Sequence, residues 1–223
     1  MHTLTISILN HRYLARPPPP AAECPPAARQ LWVSAGATQT TFGLEVAGKV
    51  RVNLTFLSTM FTDDMTRLSR PVYYLTHTVE SADGSPHAVE IYTDASAEHA
   101  VNTADEQVAW NEWNSSGLSG VRVGTVAQNV LGMKGDRVNI NWGFLYLAHA
   151  STAGNSGSVW AGSASQSRTT FATSGALPTT ADARQPRAVS DDLPALSAAA
   201  NLGTVNAAVE HVTLLAYDDV ESV

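Results

Sequence analysis

The sequence predicts an all-β protein, an antiparallel β-sandwich of two packed sheets with one or two short helices. Three observations carry that reading. From about Thr38 onward, apolar and polar side chains alternate over many short stretches; Gly, Ser, Asn and Asp separate them; and no segment offers a long, capped apolar helix. Period-two alternation marks strands buried on one face, and many such strands with frequent turns fold as two layers. At 223 residues, the chain can bury on the order of 70% of the surface its unfolded form exposes, so it needs neither metal nor disulfide to fold.

Residues 1–37 read as a disordered Pro-rich tail and residues 38–223 as the folded domain. Pro17 to Pro20 and Pro25-Pro26 remove backbone donors and favour extended polyproline geometry. The stretch from Met1 to Arg12 has interrupted apolar residues and no basic lead, so it does not read as a signal peptide.

The first hairpin is expected from Phe42, Leu44 and Val46, a turn at Ala47-Gly48-Lys49, and Val50, Val52, Leu54 and Phe56. A second is expected from Val72 to Val79, with Asp83-Gly84 turning the chain into Ala88 to Thr93. Further strands are predicted at Val121 to Val126, Val138 to Ala148, Ser158 to Ala161 and Val209 to Tyr217. Short helices are predicted at Thr62 to Ser69, where Asp63 and Asp64 favour a helix start, and at Leu193 to Ala200, an Ala-rich run whose start Pro194 confines.

Charge narrows the partners. The 13 Lys and Arg are scattered against 20 Asp and Glu, net −7, which leaves no basic face for nucleic acid. No apolar run approaches the ~20 residues a membrane span needs. The one cysteine, Cys24, rules out an intrachain disulfide. Beside Glu23 and Pro25-Pro26 it has nothing close in sequence to activate its thiol.

Three stretches carry a family resemblance. Val52 to Glu98 reads VNLTFLSTMFTDDMTRLSRPVYYLTHTVESADGSPHAVEIYTDASAE; Asn141 to Tyr146 reads NWGFLY; and Arg187 to Pro194, RAVSDDLP, precedes Asn201-Leu202-Gly203. In this order they resemble the N-terminal region of glutaminase A–like proteins, a fungal and bacterial family. The chain departs from the family pattern at Thr59, Leu193 and His211 to Thr213. The resemblance implies a β-sandwich joined, in full-length members, to an (α/α)6 barrel that hydrolyses L-glutamine to L-glutamate and ammonia outside the cell. This chain would then be the non-catalytic accessory domain, ending at Val223 about where a linker to the barrel should start.

Amide hydrolysis needs an activated nucleophile, an acid for the leaving ammonia and oxyanion donors. No G-x-S-x-G elbow or phosphate-binding glycine loop occurs; Gly117 to Gly120 and Asn155 to Gly157 read as turns. Asp63-Asp64 and Asp191-Asp192 are adjacent pairs, whose side chains do not aim at one point, so turn or cap roles are expected, with Arg187 a partner for the second pair. His77 and His87 flank the Asp83-Gly84 turn and read as ordinary strand histidines facing across the hairpin, with Glu98 and His99 farther on. No metal or cofactor is expected.

Trp142, followed by Gly143, belongs to an apolar row and reads as core. Trp110 and Trp113, read as part of a polar loop, are the candidate platform for a stand-alone carbohydrate-binding module, the alternative function. Asn53-Leu54-Thr55 and Asn114-Ser115-Ser116 are sequons, so Asn53 and Asn114 are candidate N-glycosylation sites in an exported chain.

Overall fold

The computed structural model describes residues 4–10, 27–132, 141–150 and 156–219. Cys24, Pro17 to Pro20, Pro25-Pro26, Asn155, and Val138 and Ile140 of the predicted strand lie outside the described residues.

The strands form the expected sandwich. The large sheet runs in the order β11 (Arg187–Ala188), β7 (Gln107–Ser115), β8 (Leu118–Thr125), β9 (Gly143–Ala150), β13 (Val209–Asp219), β5 (Val72–Ser81), β4 (Val50–Ser58), β3 (Gln39–Val46) and β2 (Arg29–Ala35). The small sheet runs β1 (Leu4–Asn10), β6 (His87–Ser96), β12 (Pro194–Val205) and β10 (Ser156–Ser163). Neighbours are antiparallel except β1 and β6, which are parallel.

Alternation places the core. On β4, Val50, Val52 and Leu54 are buried while Arg51 and Asn53 face solvent. Val50, Val52 and Val79 of the large sheet pack on Val89, Ile91 and Ala200 of the small one. A second apolar cluster joins Trp110, Val121, Val123, Leu145 and Leu147 to Ala95, Ala161, Leu196 and Ala198. The other face of the small sheet is covered by helix α2 (Ala164–Ser174), through Tyr92, Trp160, Phe171, Leu177 and Ala199.

The first hairpin forms as predicted, β3 against β4 with Val46 opposite Val50. The second does not. Asp83-Gly84 does turn the chain, with Gly84 at φ 78°, but β5 has both edges filled by β4 and β13, so β6 crosses to the small sheet. His77 and His87 therefore do not face each other.

The Ala-rich run predicted as a helix is the strand β12. It is central in the small sheet, with the large sheet on one face and α2 on the other. Its Ala and Ser side chains pack between the two covering layers, with Leu196 reaching into the core, and this packing overrides helix propensity. The second helix is α2 instead. Its stretch carries few apolar residues, and capping by Ser163, whose Oγ accepts from the Gln166 N–H, defines its start. The predicted helix near Asp64 is present as α1 (Met65–Leu68), with Asp64 accepting from the Arg67 N–H at 3.0 Å.

Two strands, β1 and β2, fall within residues 1–37, the stretch expected as a tail. Trp110 and Trp113 lie on β7, a strand, rather than in a loop.

Candidate functional site

Each acidic residue singled out in the sequence has a local structural partner or none. Asp63 is exposed beside the α1 cap formed by Asp64, and Asp191 is exposed. Asp83 sits in its turn, accepting from Ser81 Oγ at 3.2 Å and the Ser85 N–H at 2.9 Å, with His87 Nε2 2.9 Å away. The His87 hydrogen bond and the Ser85 N–H bring the Asp83 carboxyl down to about 2. Ser81 bonds the carboxylate and not the imidazole, so the three residues do not form a nucleophile–base relay.

Asp192 and Arg187 belong to a part-buried network that the sequence showed only in part. The organising group is Asp182, which the sequence reading missed. Its carboxylate accepts from Arg184 Nε at 2.9 Å and Nη2 at 2.7 Å, from Arg187 Nη1 at 3.0 Å, and from the Ser163 N–H at 3.1 Å. Burial alone would raise the Asp182 carboxyl; the hydrogen bonds of Arg184 and Arg187 outweigh it and hold the group well below the usual range. Arg187 also donates to the Asp192 carbonyl at 2.8 Å and lies 5.0 Å over the Trp110 ring. The Asp192 carboxylate pairs with Arg184 at 3.0 Å and accepts from Ser163 Oγ at 2.8 Å. The whole cluster fixes the chain between α2 and β12.

A second buried network, under α2, joins Asp94 to Arg168 at 2.7 Å and to the Tyr92 hydroxyl at 2.9 Å. Burial and the neighbouring Asp94 push the Tyr92 phenol well above its ordinary value, so it stays neutral as a donor. Among the described residues, the buried carboxylates of Asp94 and Asp182 are each tied to arginine.

Trp110 and Trp113 do not make a joint platform. Three residues apart on β7, they project to opposite faces. Trp110 is buried opposite Val123, whereas Trp113 lies half-buried over Gly120 on the outer face, edge-on to Tyr146. Trp142 is buried, just before Gly143 opens β9. Asn53 is exposed on the outer face of β4, and Asn114 is exposed near the β7–β8 turn.

The feature least visible in the sequence is a belt of three buried histidines. His77 on β5 is paired in register with His211 on β13, and His149 on β9 lies beside them, opposite Thr213. Ring centroids are 6.2 Å apart from His77 to His211 and from His149 to His211. Thr93 Oγ1, from the small sheet, lies 3.4 Å from His77 Nε2. Burial first, and the adjacent His211 second, bring the His77 imidazole down to about 4; burial and His149 do the same for His211, to about 4. Gly157 makes room for the belt, because a Cβ there would stand 2.6 Å from His149 Cε1. Gly157→Ala is therefore expected to destabilise the fold by ~1–3 kcal/mol through overpacking, measurable as a lowered urea midpoint with an unchanged slope.

At one end of the sandwich, the sheets part around a groove of about 850 Å³, lined mainly by apolar atoms of Phe56, Tyr73, Leu145, Leu215 and Tyr217, with His99 and Asp219. Burial and Asp219 push the Tyr217 phenol up, so it too remains a neutral hydrogen-bonding group. Among the described residues, no group of three His, Cys, Asp or Glu is arranged to hold a metal, and no helix is long and apolar enough to cross a membrane.

Fold and site thus define a β-sandwich domain whose buried polar groups brace its own structure. The chain belongs to the family described as a domain of unknown function, DUF5127, which matches residues 38–223. It is also 29% identical over 170 residues to glutaminase A of Aspergillus oryzae, covering 76% of this chain and 24% of the relative. The chain spans about a quarter of the length of that curated relative.

Proposed function

We propose that residues 38–223 act as a non-catalytic accessory domain of a glutaminase A–type hydrolase, exported from the cell and braced against an (α/α)6 barrel that carries out the chemistry. One observation carries this reading. The alignment takes in most of this chain but only 24% of glutaminase A, so the matched stretch is one module of a much larger protein. The Asp182 carboxyl, held well below the usual range by its arginine hydrogen bonds, is consistent with it, since such a group is a poor general acid or base at neutral pH.

The purified 223-residue chain incubated with L-glutamine is expected to release no ammonia above a buffer blank. Turnover that co-purifies with the chain and follows its concentration would overturn the accessory role.

A further inference from the structure

Large apolar side chains that stay exposed are unevenly placed. Among the described residues, all but Leu31, Trp32 and Val33 of β2 belong to one end of the sandwich, the end with the groove. Phe56 and Tyr73 line the groove at 39% and 50% exposure, and Met60 and Met65, on the connection between β4 and β5, reach 65% and 73%. Val126 and Leu131, both 55% exposed, follow β8 at the same end. Among the described residues, the opposite end, with the turns at 47–49 and 82–86, exposes none of these side chains. Scattered apolar residues need no explanation, but a collection at one end around a groove marks an interaction surface.

From this asymmetry we propose that the groove end docks onto the larger remainder of a glutaminase A–type chain, with an apolar segment of that remainder seated between Phe56, Tyr73 and Tyr217. The proposal rests on the accessory-domain reading and adds the surface used. Two facts favour that occupant. The alignment leaves about three quarters of the relative's length outside the matched stretch, chain enough for a partner domain, and β13 sets Tyr217 and Asp219 in the groove as contacts for it. The apolar centre is flanked by polar side chains, Gln39, Ser58, His99 and Asp219, the arrangement of an apolar core with a polar edge found in interfaces between domains.

The test is a fusion in which this chain replaces the matched segment of the Aspergillus oryzae glutaminase A, compared by amide hydrogen exchange with the isolated full chain. Segments 56–73 and 126–132 are expected to exchange at least about tenfold more slowly in the fusion, with the turn at 82–86 unchanged. Met65→Asp with Tyr73→Ser is expected to remove that protection in the fusion while leaving exchange of the isolated chain as before. Protection confined to another surface would overturn the docking end and leave the accessory reading standing. Protection nowhere would overturn both. A dimeric isolated chain by light scattering, already protected at 56–73, would assign the surface to a second copy instead and overturn the proposal.

Discussion

The folded chain is expected to lose on the order of 5 kcal/mol of stability as pH falls from about 6.5 to about 4, most of it from the histidine belt. His77 and His211 stand near 4 in the fold against an ordinary 6.5. Both are depressed, so in that window the unfolded chain binds more protons and stability rises with pH. The contribution is complete above about 6.5, falls as pH drops, and is gone below about 4. A shift of that size is worth ~3 kcal/mol for each imidazole.

Carboxylates do not share this window. Asp83 and Asp182 are also depressed, but from 3.8, so their contribution is lost only at lower pH. Glu90, raised by burial, acts weakly in the opposite sense. Urea unfolding at a series of pH values measures the slope directly. His77→Leu should remove about half of it, and a wild-type profile flat between pH 6.5 and 4 would refute the assignment.

The second large effect is expected at Asp182. Replacing it by Ala strips the acceptor from Arg184, from Arg187 and from the Ser163 N–H at the start of α2. Arg187 is only 6% exposed and would be left with a buried charge lacking its carboxylate, a change that typically costs ~3–5 kcal/mol. Asp191→Ala, at an exposed carboxylate, should stay within about 0.5 kcal/mol. Equal losses at the two positions, by urea or thermal unfolding, would show that the network is not what braces this corner.

The contrast between Asp182 and Asp191 marks how much of the site could be read from residues alone. Sequence drew attention to Asp191-Asp192 because paired acids stand out, whereas Asp182 sits in an unremarkable stretch, Ala181-Asp182-Ala183-Arg184. Only the fold places Ser163, Arg184 and Arg187 around it. The histidine belt was hidden for a related reason. His77, His149 and His211 are far apart in sequence, and they meet because β13 inserts between β5 and β9. A signal was present nonetheless: His77 takes the inward parity of Leu75 and Val79, and His149 that of Leu145 and Leu147. Period-two patterning exposed the two-sheet class and the β3–β4 hairpin well. It failed where both faces of a strand are covered, as on β12, because alternation then disappears.

The strand order also bears on how the protein is made. The last strand among the described residues, β13, occupies the middle of the large sheet, and β12 an inner position of the small one. While a ribosome is still extending the nascent polypeptide, β2 to β5 and β7 to β9 can assemble only as separate ribbons with open edges, and neither layer closes until residues beyond 190 emerge. Such late, long-distance pairing makes for slow folding. Holdase chaperones that shield unpaired ribbons would have their greatest influence on this protein in that interval.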